Sequence, residues 1–185
     1  PPMLPCIRAR RIHCFYVRHK RMSLTQTVLI EKSRVPDRSG LEDAVRALGF
    51  DLAIDDFYKP FDCSGFLPCV LNGRQSGFEI YFDSPEEALQ SYPPLRELAA
   101  GRDCAITFRW GGDMGECACV LIVSAALAAS FGAVVHYDPE DLLYSQKKLL
   151  AEAKQALGYA DIEATENARP PSSPAKKKPW WKLGS

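Results

Sequence analysis

The feature that most constrains the fold is an apolar run at residues 117–135, CACVLIVSAALAASFGAVV, which contains no charged side chain. Such a run can be a membrane-spanning helix or the buried helix of a soluble domain. A span needs about 20 predominantly apolar residues and basic flanking residues that orient it. Here the run is rich in Ala and its flanks are acidic. The sequence therefore predicts no membrane span, but a core helix in a soluble, cytoplasmic protein.

The ends of this helix are marked in the sequence. Asp113 and Glu116 form a capping box, so the helix should begin near Met114. Gly132 suits the left-handed conformation that ends many helices. Residues 133–137 then form a short β-prone run, which predicts a buried strand after the helix.

The dipeptide Asn72-Gly73 predicts a β-hairpin, with strands that resume only after about five residues. The other elements follow from hydrophobic periodicity and from turn residues. Together they predict a single compact α/β (α+β) domain, with a mixed, partly antiparallel sheet of about five or six strands and about four helices packed on it. The expected strands lie at 28–30, 52–54, 66–71, 77–82, 104–110 and 133–137. Three further helices are expected. The first runs from the Ser39–Glu42 capping box to Gly49, the second begins at Ser84 and is interrupted by Pro93-Pro94, and the third runs from Asp138 to Gly158.

Charge is strongly segregated along a chain whose formal net charge is zero. All 23 acidic residues lie between residues 22 and 168, against 12 basic ones, which leaves this body at −11. We expect three regions: a basic N-terminal extension (1–21), an acidic α/β domain (22–160) and a flexible basic tail rich in Pro, Lys and Trp (161–185). Residues 1–21 are either an extension upstream of a natural start at Met22 or a functional basic arm.

The seven cysteines are an odd number in a chain without a recognisable secretory signal. Cys117 and Cys119 are two residues apart in the predicted helix, so they face different directions, whereas zinc ligands are usually separated by two other residues. Reduced, buried thiols are therefore favoured over a metal site. The sequence predicts no metal and no cofactor.

A search for catalytic motifs finds no nucleophile elbow, no phosphate-binding loop and no zinc-protease helix. His136 is the only histidine of the acidic domain, and its position between apolar residues favours a structural role over that of a general base. Gly111-Gly112 could hold an anion at the start of the central helix, but the adjacent Asp113 favours a simple tight turn.

The densest cluster of functional residue types is DLAIDDFYKPFDCSGF, residues 51–66. Acidic and aromatic residues alternate there, which fits a calcium site, a solvated loop or a protein-binding surface. The calcium-binding spacing of an EF-hand is absent. Aromatic anchors and steering carboxylates are typical of a surface that binds a basic protein. The candidate partner-binding residues are Asp51, Asp55, Asp56, Phe57, Tyr58 and Asp62, together with Glu79 and Tyr81 of the hairpin.

Two segments resemble small cytoplasmic immunity proteins: GFLPCVLNGRQSGFEIYF at 65–82, and 131–142, where the end of the central helix is followed by GAVVHYDPEDL. Bacteria with polymorphic-toxin and type VI secretion effector systems encode these beside their toxins. The resemblance implies a toxin inhibitor, a non-catalytic protein that neutralises a cognate effector, in some cases a nuclease, by stoichiometric protein–protein interaction. It implies no catalytic residues.

The alternative is a protein that binds nucleic acid or an anionic surface through its basic ends. Lys176, Lys177 and Lys178 lie close to Trp180 and Trp181, which combines phosphate attraction with stacking surfaces. A small enzyme with an unrecognised site is a third interpretation.

Overall fold

The computed structural model describes residues 23–167, so residues 1–21 and the basic part of the C-terminal tail lie outside the described residues. The strands are β1 (Leu24–Ile30), β2 (Leu52–Ile54), β3 (Gly65–Leu71), β4 (Arg74–Asp83), β5 (Cys104–Trp110), β6 (Val134–Tyr137) and β7 (Leu142–Tyr144). The α-helices are α1 (Arg38–Ala47), α2 (Glu86–Ser91), α3 (Leu95–Leu98), α4 (Met114–Phe131) and α5 (Gln146–Asn167).

All seven strands form one sheet in the order β2-β3-β4-β5-β1-β6-β7, and every neighbouring pair is antiparallel. The predicted α+β class and single domain are confirmed. The sheet is antiparallel throughout rather than mixed, and it has seven strands where about five or six were expected. The described residues form five α-helices where about four were expected. The interior strand β1 pairs with both β5 and β6.

Helix α4 is the core of the domain, as the apolar run predicted. Asp113 caps it by accepting hydrogen bonds from the backbone N–H groups of Gly115 and Glu116, and Gly132 ends it with φ 72°. By length and composition this helix could cross a membrane, but 67% of it is buried inside the fold. Its apolar character on all sides follows from its neighbours, because α1, α5 and the sheet all pack against it.

The two faces of the sheet are covered unequally. On the face that α4 covers, side chains such as Val28, Ile80 and Phe108 are at most 1% exposed. On the opposite face a small second cluster joins Leu29 and Ala105 to Leu95 of α3, with parts of α2 packed around it. That cover reaches only the β1–β5–β6 part of the sheet. This face of the sheet therefore has one part that is covered by helices, over β1, β5 and β6, and one open part, over β3 and β4.

The prediction of a last helix from Asp138 to Gly158 is wrong at both ends. Residues Asp138–Glu140 form a short 3-10 turn, Asp141 adopts a left-handed conformation (φ 52°), and the chain then adds the edge strand β7. Helix α5 continues through Gly158 to Asn167 and so extends the domain beyond residue 160. A glycine inside a helix costs only about 1 kcal/mol, and the buried Ala153, Ala156 and Ala160 hold this helix in place.

The hairpin between β3 and β4 is tighter than predicted. Asn72 (φ 49°) and Gly73 (φ 74°) both occupy the left-handed region, and β4 begins at Arg74. Positive φ at both central residues defines the two-residue turn that matches the twist of paired strands. The long gap expected from the sequence is therefore part of β4, since its polar residues Arg74–Ser76 pair with β3.

Helix α1 is capped by Asp37 rather than by Ser39, because Asp37 Oδ1 accepts the Gly40 N–H at 2.8 Å. Glu42, expected to complete the capping box, instead accepts the Ile54 N–H at 2.8 Å, and Arg38 donates to the Ile54 carbonyl oxygen at 3.5 Å. Ile54 lies in the edge strand β2. Helix α1 therefore supplies side-chain partners to the backbone of this edge strand, which limits pairing with another chain.

Candidate binding site

On the sheet face opposite α4, the covered part and the open part meet at a cleft of about 430 Å³. Strand residues Thr25, Thr107 and Arg109 form its floor, and α2 forms one wall. Its acidic lining residues come from both sides: Asp83 and Glu87 near α2, and Asp138 and Asp141 after β6. Arg109 and His136 are the basic residues of the lining. Carboxylates therefore outnumber cationic side chains, which makes the cleft suited to a cationic group.

His136 is buried at the end of the cleft and is held by two carboxylates. Its Nδ1 lies 2.8 Å from Asp138 Oδ1 and its Nε2 lies 3.0 Å from Asp141 Oδ1. The ring also stacks on Tyr92, with 4.5 Å between centroids. Because both ring nitrogens already have partners, neither is free to take a proton from a bound molecule. This arrangement agrees with the structural role that the sequence favoured for His136.

Asp138 connects this histidine to strand β1 of the sheet. Its Oδ2 accepts a hydrogen bond from Thr27 Oγ1 at 3.2 Å, while its Oδ1 faces His136. Burial raises the pKa of the Asp138 carboxyl group above its usual value, against the opposing effect of the hydrogen bond from His136. Asp141 adopts the left-handed conformation, which Asp tolerates better than most residues. The wall of the cleft is thus built from a fixed hydrogen-bonded group.

The open part of the face carries a second group, centred on Tyr81 of β4. The Tyr81 hydroxyl donates to Glu79 Oε2 at 2.9 Å, and the Arg109 guanidinium lies 5.1 Å from the Tyr81 ring centroid. The hydrogen bond to the Glu79 carboxylate raises the Tyr81 pKa. These contacts fix the orientation of an aromatic ring at the surface, and such rigid rings are effective anchors in interfaces.

Phe66 of β3 extends this surface. It pairs with Glu79 across the strands, so it shares the open face, and 56% of its surface is exposed. Its ring lies over Gly77, where a Cβ atom would come within 2.3 Å of the ring. The glycine therefore allows an aromatic ring to lie flat on the sheet. We call Phe66, Glu79, Tyr81 and Arg109 together with the cleft the open-face site.

The sequence-predicted partner-binding residues do not form one surface. Phe82 of β4 lies against Phe61 and Tyr58 of the 51–62 segment, with ring centroids 5.2 and 6.3 Å apart. Glu79 and Tyr81 alternate with Phe82 along β4, so they point to the opposite side of the sheet. The structure thus assigns Glu79 and Tyr81 to the open-face site. The other predicted residues lie in the separate segment 51–62, which we call the acidic loop.

Within that loop the carboxylates and Phe57 are at the surface. Asp51, Asp55, Asp56 and Asp62 are exposed, and Phe57 is 46% exposed. Asp55 has a local role, since its Oδ1 accepts the Phe57 N–H at 2.9 Å. The acidic loop is therefore accessible to a partner, but its carboxylates lie apart from the cleft.

Tyr58, predicted as an exposed aromatic anchor, is a core residue. It is 3% exposed, and its hydroxyl donates to the Pro36 carbonyl oxygen at 3.2 Å. Burial raises its pKa above the usual value for tyrosine. The alternation of aromatic and acidic residues could not distinguish this buried ring from its exposed neighbours Phe57 and Phe61.

Replacing Tyr58 with Phe should lower the free energy of unfolding by about 1 kcal/mol, because the Pro36 carbonyl oxygen loses its hydrogen bond in a buried position. Urea denaturation of the full chain measures this difference. Tyr159→Phe is the matched control, since Tyr159 is 46% exposed and its change should be near zero. Equal stability of the two variants would contradict the structural role of the Tyr58 hydroxyl.

Phe66, Arg109 and the acidic walls of the cleft were not among the residues predicted from the sequence. One signal was available for Arg109, which lies between Phe108 and Trp110 in a strand of alternating pattern and so must face away from the core. The Asp138–His136–Asp141 group had no such signal, because it depends on the turn before β7. Lys176–Lys178, Trp180 and Trp181 of the alternative site lie outside the described residues.

No group of His, Cys, Asp and Glu within residues 23–167 has the arrangement of a metal site. Comparison of the chain with protein-family models, with curated proteins and with solved structures finds no match. The function of the chain must therefore be inferred from the geometry and charge of the open-face site.

Proposed function

We propose that this chain is a non-catalytic binding protein that recognises a basic protein through the open-face site. More specifically, we propose an immunity protein that neutralises a cognate bacterial toxin or secreted effector in the cytoplasm. The observation that carries the proposal is an acidic cleft beside an open sheet face that presents oriented aromatic rings.

Charge favours a cationic partner. Residues 22–168 have a formal charge of −11, and the cleft concentrates carboxylates on both of its walls. A surface field of one sign accelerates the encounter with an oppositely charged partner, particularly at low salt. A lysine or arginine side chain inserted into the cleft would meet Glu87 on one side and Asp141 on the other. Nuclease toxins have basic surfaces of this kind, because they bind nucleic acid.

The aromatic residues supply the contact energy that steering charges do not. Phe66 and Tyr81 lie on the same face of neighbouring strands, with Phe66 opposite Glu79, and Glu79 and Arg109 hold the Tyr81 ring in place. Tyr and Arg are enriched among residues that dominate binding energy, especially where the side chain is already ordered before binding. The open-face site thus combines both requirements of a high-affinity inhibitor.

A non-catalytic role is supported by the state of His136, whose two ring nitrogens are both engaged by carboxylates. A cytoplasmic location is supported by Cys69 and Cys119, which remain thiols although their sulfur atoms lie only 3.4 Å apart, as in a reducing compartment.

The experiment is a neutralisation assay with the product of the neighbouring gene. If that product arrests growth when it is expressed alone, co-expression with the full chain should restore growth, and the purified proteins should elute as one complex. Continued arrest in an excess of the chain, with no complex detected, would contradict the immunity function.

A second measurement addresses the binding chemistry without the natural partner. A fluorescent oligo-arginine peptide should bind the full chain, and an oligo-glutamate peptide of the same length should not. Binding of DNA or RNA in place of the basic peptide would instead favour the alternative function of the basic ends.

A further inference from the structure

Two buried cysteines meet at the interface between the sheet and the core helix. Cys69 of β3 and Cys119 of α4 place their sulfur atoms 3.4 Å apart, and both residues are at most 2% exposed. They are 50 positions apart in the chain. This contact lies on the α4 side of the sheet, so it is independent of the open-face site and of the proposed function.

The two thiols are not equivalent. The Cys69 thiol donates to the Cys119 sulfur, which lowers the pKa of Cys119, and the nearby Ser76 hydroxyl acts in the same direction. The same contact raises the pKa of Cys69. Elsewhere in the core, burial raises the pKa of Cys104 to about 11. Cys119 is therefore the member of the pair that ionises first, and the thiolate is the reactive form of cysteine.

A small cleft of about 150 Å³ lies next to the neighbours of this pair, and neither cysteine lines it. Its lining includes Ser76 of β4, which is the cross-strand partner of Cys69, and Gly115 at the start of α4. Because Gly115 has no side chain, the cleft remains open on the α4 side. A molecule as small as hydrogen peroxide would need only a local opening beside Ser76 to reach the sulfur atoms.

We propose that Cys69 and Cys119 form an oxidisable dithiol that a peroxide converts into an intramolecular disulfide. The Cys119 thiolate attacks one peroxide oxygen and becomes a sulfenic acid, and the other oxygen leaves as hydroxide, which takes up a proton as water. The Cys69 sulfur then attacks the Cys119 sulfur, forming the S–S bond and releasing a second water. The two thiols are thereby oxidised by two electrons, and the peroxide is reduced to water.

The disulfide would tie β3 to α4 and close the chain segment between them. Cross-linking residues this far apart restricts the unfolded chain strongly. Oxidation should therefore raise the melting temperature by about 5 to 10 °C. Since β3 also carries Phe66, the open-face site would be held on a more stable sheet.

The test uses the full chain with Cys6→Ser and Cys14→Ser, so that only the five cysteines within residues 23–167 remain. After treatment with hydrogen peroxide, the intact mass should fall by two hydrogen atoms, and peptide mapping should find one cystine that joins residues 69 and 119. The melting temperature should rise and should return to its starting value after addition of a reductant.

Cys119→Ala should abolish both changes, whereas Cys104→Ala is the matched control and should retain them. If either variant fails to fold, the proposal is still tested, because the peptide map of the protein that keeps Cys69 and Cys119 is the deciding measurement. A cystine at other positions, oxidation only to sulfinic or sulfonic acid, or an unchanged mass would overturn the proposal.

Discussion

Val120→Asp should lower the free energy of unfolding by about 4 to 5 kcal/mol, the largest effect we expect of any single substitution. Val120 is fully buried in the middle of α4, so the new carboxylate would have neither water nor a cationic partner. The total free energy of unfolding of a domain of this size is about 5 to 15 kcal/mol. The variant should therefore be largely unfolded or close to unfolding at 37 °C, as measured by urea denaturation and circular dichroism.

Ala151→Asp is the control for this substitution, because Ala151 is exposed on α5 and a carboxylate introduced there should lower the free energy of unfolding by less than about 1 kcal/mol. A cooperatively folded Val120→Asp protein with unchanged stability would show that α4 is not the core of the domain. It would also reopen the interpretation of this helix as a membrane span.

Reversing two charges in the cleft, with Asp83→Lys and Glu87→Lys together, should weaken the complex with a basic partner by about 100-fold. Both side chains are exposed and line the same side of the cleft, so the change should act on binding more than on folding. The loss of affinity should come mainly from slower association, and it should become small near 0.5 M salt, where the screening length is about 4 Å. Binding kinetics with the oligo-arginine peptide and with the cognate toxin measure it.

Two further variants make this result specific. Asp43→Lys with Glu97→Lys reverses the same number of charges outside the cleft and should have a much smaller effect. Asp55→Asn with Asp56→Asn removes charge from the acidic loop and leaves the cleft unchanged. If the loop variant weakens binding and the cleft variant does not, the partner-binding surface is the 51–62 segment rather than the open-face site.

The sequence determined the core of this protein and the ends of two of its elements, α4 and β5. An uncharged run between a capping box and a glycine is sufficient to specify α4, because each of these signals acts within one helical turn. The same holds for β5, whose predicted bounds, 104–110, are those of the structure. Local chemistry alone could not give the last strand, since Asp138–Asp141 carries the same start signals as a helix. In the structure, a left-handed turn at Asp141 and pairing with β6 produce the strand β7 in place of the start of a helix.

The site depended still more on tertiary structure. The acidic and aromatic composition of 51–66 was a correct observation, but composition does not tell which side of a sheet a residue faces, and Tyr58 lies in the core while Glu79 and Tyr81 lie on the far face. The cleft joins residues of β1, β4, β5, α2 and the turn after β6. Those elements are distant in the chain and meet only because β1 inserts between β5 and β6. Strand order is set by the burial of the whole sheet against α4, a global property that no single stretch of sequence carries.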